Sequence, residues 1–194
     1  MRKVFYSFNY EADVMRVMEI RNMGVLEADK PVQANRWEEI KRSGETGIKK
    51  WIDATMKQCS CVVVLIGEHT YKRPWVKYEI MHAWNTGKGL LGIYIHDIHP
   101  VNEMLANYGI QGENPFSCFQ LSQILVTPFL AETVRRLDSV VPVMLPNRKD
   151  AYNDIKNNIS LWVEKAIEIR EEYGSYDCQE TSQEKIAHSI WGHM

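Results

Sequence analysis

The stretch "CVVVLIG", Cys61 to Gly67, limits the fold more than any other segment. Its core, Val62 to Ile66, is the longest apolar run in the chain, and it is far too short to cross a bilayer. A short β-branched run with no polar face to give to water reads as a strand covered on both sides, the environment of a parallel sheet. "KVFYSF" and "GLLGIYI" have the same character, and each is bounded by polar or glycine-containing segments.

Helical patterns lie between these runs. "EADVMRVMEIRNM" gathers Val14, Val17, Met18 and Met23 near one stripe, and "ETGIKKWIDATMKQ" does the same with Ile48, Trp51, Ile52 and Met56. Strand and helix in alternation predict an α/β fold with a mostly parallel central sheet between helical layers. A regular pattern needs a second strand between Gly24 and Arg36, but "GVLEADKPVQANR" reads better as a loop. "SVVPVML", Ser139 to Leu145, reads as a later strand, and Pro142 places it at a sheet edge because proline cannot donate to a ladder. The long pattern "AYNDIKNNISLWVEKAIEIREEYG" predicts a helix with Ile155, Ile159, Trp162, Val163, Ala166 and Ile169 on one face and Gly174 as its C-cap. The expected organisation is one domain over 1–174, with an insertion at about 96–138 and a polar C-terminal extension over 175–194.

Composition narrows the function classes. The chain of 194 residues carries a formal net charge of −2, with its Lys and Arg scattered, so a nucleic-acid partner is not expected. The apolar stretch near the start is interrupted by Ser7, Asn9 and Glu11 before a signal-peptide core can form, and no run spans a membrane; a cytoplasmic location is expected. The cysteines (Cys59, Cys61, Cys118, Cys178) contain no C-x-x-C pair. Cys59 and Cys61 would share one face of a strand, and reduced thiols are expected.

Several motifs fail on physical grounds. "NTGKGL" lacks the spacing and the hydroxyl of a phosphate-cradling P-loop, and Gly87 to Gly89 reads as a helix-to-strand turn. No G-x-G-x-x-G follows the first strand, and no phosphoacceptor aspartate ends "CVVVLIG". "HDIH", His96 to His99, lacks a third defined ligand, so no metal site is expected.

"RPWVKYEI", Arg73 to Ile80, is harder to explain as packing alone. On a helix Val76, Ile80 and Ala83 form an apolar stripe, with Glu79 roughly 70° to its side and flanked by Trp75 and His82. One reading is a boundary glutamate paired with Arg73, Lys77, Lys49 or Lys50; the other is a partly desolvated functional acid. In a sheet of order 2-1-3-4-5, ligands bind outside the carboxyl ends of strands 1 and 3, which places Glu79 near that crevice.

The pattern "VVLIG-x-x-T-x-x-R-x-W-V-x-Y-E-I", with "VFYSFNY", Trp37 in "NRWEEIK", "GLLGIYI" and "GENPF", resembles the TIR domain, and more closely the TIR-like ThsB family of Thoeris anti-phage defence. It extends over about Lys3 to Phe116. The resemblance implies a flavodoxin-like three-layer TIR fold and an enzyme that takes NAD as substrate, with no cofactor. Glu79 would be the catalytic residue that cleaves the nicotinamide glycosidic bond, and the product a cyclic ADP-ribose isomer. Phe8, Asn9 and Trp37 would line the substrate pocket, although Phe8 and Trp37 also suit plain packing. Related ThsB proteins often have histidine where this chain has Asn9, which cannot carry a proton at neutral pH. The implied partners are NAD, a phage-derived trigger and a separate effector reached through a diffusible nucleotide signal, with room for a homo-oligomer. The alternative is a non-catalytic TIR scaffold or a phage-sensing interaction module.

Overall fold

The computed structural model describes residues 1–28, 40, 42–99, 108–123 and 134–185. The described elements begin with β1 (Lys3–Ser7), α1 (Tyr10–Asn22), β2 (Glu27–Ala28), α2 (Gly44–Met56) and β3 (Cys61–Ile66). They continue with α3 (Pro74–Asn85), β4 (Gly89–Tyr94), β5 (Phe119–Gln123), β6 (Val134–Arg136), β7 (Val143–Met144), α4 (Ala151–Glu172) and β8 (Tyr176–Glu180). Five strands form a parallel sheet of order β2-β1-β3-β4-β7: the alternation of strand and helix predicts the parallel α/β sheet, and the flavodoxin-like order is the one the resemblance implies.

All six residues of β3 are buried, because helices cover both faces of the sheet. On one face Phe5, Val62, Val64, Ile66 and Leu90 pack with Ile48, Ile52 and Met56 of α2 and with Val76, Ile80, Ala83 and Trp84 of α3. On the other, Val4, Tyr6, Cys61, Val63, Leu65 and Leu91 pack with Val17 and Ile20 of α1 and Ile155, Ile159 and Val163 of α4. Cys59 and Cys61 therefore lie in different cores rather than on one strand face. Cys59 precedes the strand, in a turn closed by its N–H donating to the Met56 carbonyl (2.9 Å). All four thiols are buried and free of disulfides.

Three local expectations are corrected. A second strand does form after Gly24: among the described residues it is Glu27 and Ala28, held by the ladder to Lys3 and Val4 rather than by β propensity. The "SVVPVML" segment begins as a 3-10 turn (Leu137–Ser139) and is strand only at Val143–Met144. Its edge position holds, and the Pro142 carbonyl accepts from the Gly92 N–H (2.9 Å). Gly174 is not a left-handed cap, since positive φ among the described glycines is confined to Gly24, Gly44 and Gly87. The chain leaves α4 through Tyr173 (φ −97°) directly into β8. Gly87, at φ +78°, does make the turn from α3 to β4.

A second sheet, antiparallel and of order β6-β5-β8, joins the insertion to the C-terminal segment, a pairing that hydropathy does not foreshadow. Phe119, Leu121 and Cys178 turn into the α2/α3 core. This sheet grips the end of α3: the Trp84 indole Nε1–H donates to the Tyr176 carbonyl (2.9 Å), and Asn85 exchanges two hydrogen bonds with the Cys178 backbone (3.0 and 2.8 Å). Among the described residues no helix is long and apolar enough to cross a membrane.

Asn85→Ala should therefore loosen β8 from α3. Two hydrogen bonds to partly buried backbone groups are worth ~2 kcal/mol together, so a melting point lower by ~6 °C is expected by calorimetry, with faster amide exchange confined to β8 and β5.

Candidate functional site

The helix α3 opens with Pro74 at its first turn, where the missing N–H costs nothing, after an extended Arg73. Val76, Ile80, Ala83 and Trp84 fix its inner face, and Glu79 lies on that face with only 9% exposure. The Ser7 hydroxyl, at the carboxyl end of β1, donates to Glu79 Oε2 (2.6 Å). Burial pushes the Glu79 acid up to about 8, with the Ser7 hydrogen bond opposing. At neutral pH the group is thus mostly an uncharged acid.

The cations that could have neutralised Glu79 are engaged elsewhere. Arg73 pairs with Glu11, Lys77 with Glu184 (2.6 Å) and Lys49 with Glu45 (3.0 Å), while Lys50 is exposed. The flanking rings also turn away: Tyr78 donates to Asp53 Oδ1 (2.8 Å), His82 stacks on Tyr78 (5.7 Å) with Nε2 3.4 Å from the same carboxylate, and Trp75 meets Tyr78 edge-on (6.2 Å). They tie α3 to α2.

Asn9 directly precedes α1 and is 2% exposed; its carbonyl accepts from the Asp13 N–H (2.9 Å), but its side chain makes no cap and Nδ2 has no partner. Phe8 is half-buried, packed on the α1/α4 core with its ring 6.1 Å from that of Tyr10. Trp37 lies outside the described residues.

Sequence reading missed Asp13, which is 3% exposed and has Oδ2 unpartnered. Burial raises its pKa, and Arg16, with Nη1 3.8 Å from Oδ1, pulls the other way. Its carboxylate rests on Gly67, just past β3, where an added Cβ would come within 2.3 Å of Oδ2. Gly112 in turn sits on the Gly67 carbonyl, 2.0 Å from where its own Cβ would be. His96, just past β4, leaves Nδ1 unpartnered, with Nε2 3.3 Å from Asp97. The spacing Asn9-x-x-x-Asp13 was visible in the sequence, but an acid in a first helical turn has an ordinary explanation in the helix dipole.

The carboxyl ends of β1, β3 and β4 thus gather buried, under-partnered polar groups, an arrangement that could take a polar ligand. Among the described residues no set of three or more His, Cys, Asp or Glu could hold a metal ion. A depression lined by Met1, Arg2, Val25, Leu26, Ser160 and Glu164 involves the amino-terminal side of β1 and carries only the exposed Arg2–Glu164 ion pair (2.8 Å).

Comparison with known proteins covers this same region. Residues 5–99 match the family model described as the TIR-like domain of the Thoeris protein ThsB. A Bacillus cereus (strain MSX-D12) protein provisionally named cyclic ADP-D-ribose synthase ThsB1 is 33% identical over 121 residues, 59% of this chain and 61% of that protein. The match spans less than two thirds of the relative's length.

The raised pKa of Glu79 fixes the sign of a pH effect. Between about 4.5 and about 8 the folded state holds a proton that the unfolded state releases, so this group lowers stability as pH rises through that window. Glu79→Gln should match the parent near pH 4 and melt at least ~5 °C above it at pH 8 by scanning calorimetry.

Proposed function

Because residues 5–99 are a TIR-like domain of the Thoeris ThsB family, we propose that this protein works in anti-phage defence by cleaving NAD at the nicotinamide glycosidic bond, with Glu79 as the catalytic residue. The product in this reading is a cyclic ADP-ribose isomer that reaches a separate effector by diffusion, in response to a phage-derived trigger in the cytoplasm. Support comes chiefly from one observation: a buried carboxyl group held by Ser7 at the carboxyl end of β1, with the neighbouring cations engaged elsewhere.

The chemistry suits one acid. Nicotinamide in NAD is already cationic and leaves as a neutral molecule with the electron pair of the C1′–N bond, so it needs no proton donor. The developing oxocarbenium ion does need a negative charge beside it. Glu79 is uncharged in the closed site, and a bound cationic ring lowers its pKa, so the carboxylate forms where the substrate brings positive charge. Little water competes there, which strengthens the interaction.

Glu79 also accepts hydrogen bonds from the hydroxyls of the nicotinamide ribose, and Ser7 keeps its carboxyl group in place. Phe8 and Asn9, next to Ser7 in the chain, line the substrate pocket in this reading, a role the resemblance also gives to Trp37. A nucleophile on the adenosine half then bonds to C1′ and closes the ring, any proton it carries passing to solvent; water attacking at the same carbon gives ADP-ribose. Glycosidases make the same electrostatic demand, generally with two carboxylates.

Glu79→Gln keeps the size and removes the charge, so nicotinamide release should fall by about 10²–10³-fold, measured on protein from phage-challenged cells. Ser7→Ala removes a hydrogen bond that favours the anion, so the acid limb of the pH–rate profile should move to higher pH. Release at the parental rate by the Gln variant, or none by the parent while it self-associates on challenge, would overturn the proposal.

A further inference from the structure

Asn9 and Asp13 lie one helical turn apart at the start of α1, and each leaves one buried hydrogen-bonding atom without a partner: the donor Nδ2 of Asn9 and the acceptor Oδ2 of Asp13. They are 2% and 3% exposed. A buried polar group left unpaired destabilises the fold, and this helix leaves two within one turn.

The two atoms are opposite in sense, which narrows the ligand. A phosphate would suit Nδ2 but meet the Asp13 carboxylate; an amine would suit Asp13 and leave Nδ2 unpaired. Hydroxyls both donate and accept, so a ribose diol can satisfy both atoms. Asn9 follows Ser7 by two residues, and extended chain advances ~3.3 Å per residue, so this subsite begins within about 7 Å of the residue that holds Glu79.

On the reading that Glu79 takes the nicotinamide ribose, the other diol of NAD is the adenosine one. Ring closure requires the adenosine half to fold back until its nucleophile reaches C1′; an unrestrained adenosine leaves C1′ to water. We propose that Asn9 Nδ2 and Asp13 Oδ2 bind the hydroxyls of the adenosine ribose and hold that half of NAD folded toward C1′, so that this pair sets whether the product is cyclic or linear. Asp13 is covered by Gly67, on which Gly112 rests, so binding at Oδ2 requires those two glycines to move apart.

Protein from phage-challenged cells, parent and Asp13→Asn, is given NAD, with nicotinamide release and the two products followed by mass spectrometry. The variant should show a KM about tenfold higher, a kcat for nicotinamide release within about threefold of the parent, and a cyclic-to-linear ratio about tenfold lower, the size expected for one hydrogen bond to a charged group. Should the variant fold poorly, the parent is assayed with NAD analogues lacking either the 2′ or the 3′ adenosine hydroxyl. One analogue should raise KM about tenfold. An unchanged KM and product ratio in Asp13→Asn, or parental KM with both analogues, overturns this inference while nicotinamide release still stands. No nicotinamide release from the parent overturns the underlying reading as well.

Discussion

The hydrogen bond from Ser7 to Glu79 joins residues 72 apart in the chain and connects the end of β1 to the middle of α3. It is the only polar partner that the buried Glu79 side chain has among the described residues. An acid in that position is costly to ionise and costly to leave unpaired: burial holds its proton on, while a single hydroxyl at the switch point of the sheet orients it and favours the ionised form. The proposed chemistry at that crevice depends on keeping α3 fixed relative to β1.

Several contacts keep it fixed. Apolar packing with α2 and the sheet holds its inner face, and the Tyr78–Asp53 and His82–Asp53 pairs hold its flank. Arg170 of α4 donates through Nε to the Trp84 carbonyl (2.9 Å), at the end of the helix where carbonyls lack intrahelical partners. The second sheet grips Trp84 and Asn85, and Glu184 beyond it takes Lys77 and Tyr71. The C-terminal segment and the insertion thus brace the helix that carries Glu79, near its start through Lys77 and at its end through Trp84 and Asn85.

Sequence patterns carried the central sheet well, because parallel strands buried on both faces leave uninterrupted apolar runs such as Val62 to Ile66. They carried the edges poorly. Glu27–Ala28 and Val143–Met144 are strands only because a neighbour supplies a ladder, and β8, "YDCQE", has a polar composition that its pairing with β5 overrides. Glu79 was legible as a candidate from its place on a helix beside the crevice, but not its charge state, which depends first on how deeply it is buried and then on Arg73, Lys77 and Lys49 finding partners elsewhere in three dimensions. Asp13 was hidden for a similar reason: nothing local distinguishes a buried acid against a glycine from one that caps a helix in water.

The most direct test is a carbon-13 NMR titration of the Glu79 side-chain carboxyl in the ligand-free protein, assigned by its absence in Glu79→Gln. A midpoint near 8 that falls when a cationic nicotinamide riboside is added is the expected result. A midpoint near the ordinary carboxylate value, unmoved by the cation, would contradict a buried acid poised to ionise against its substrate.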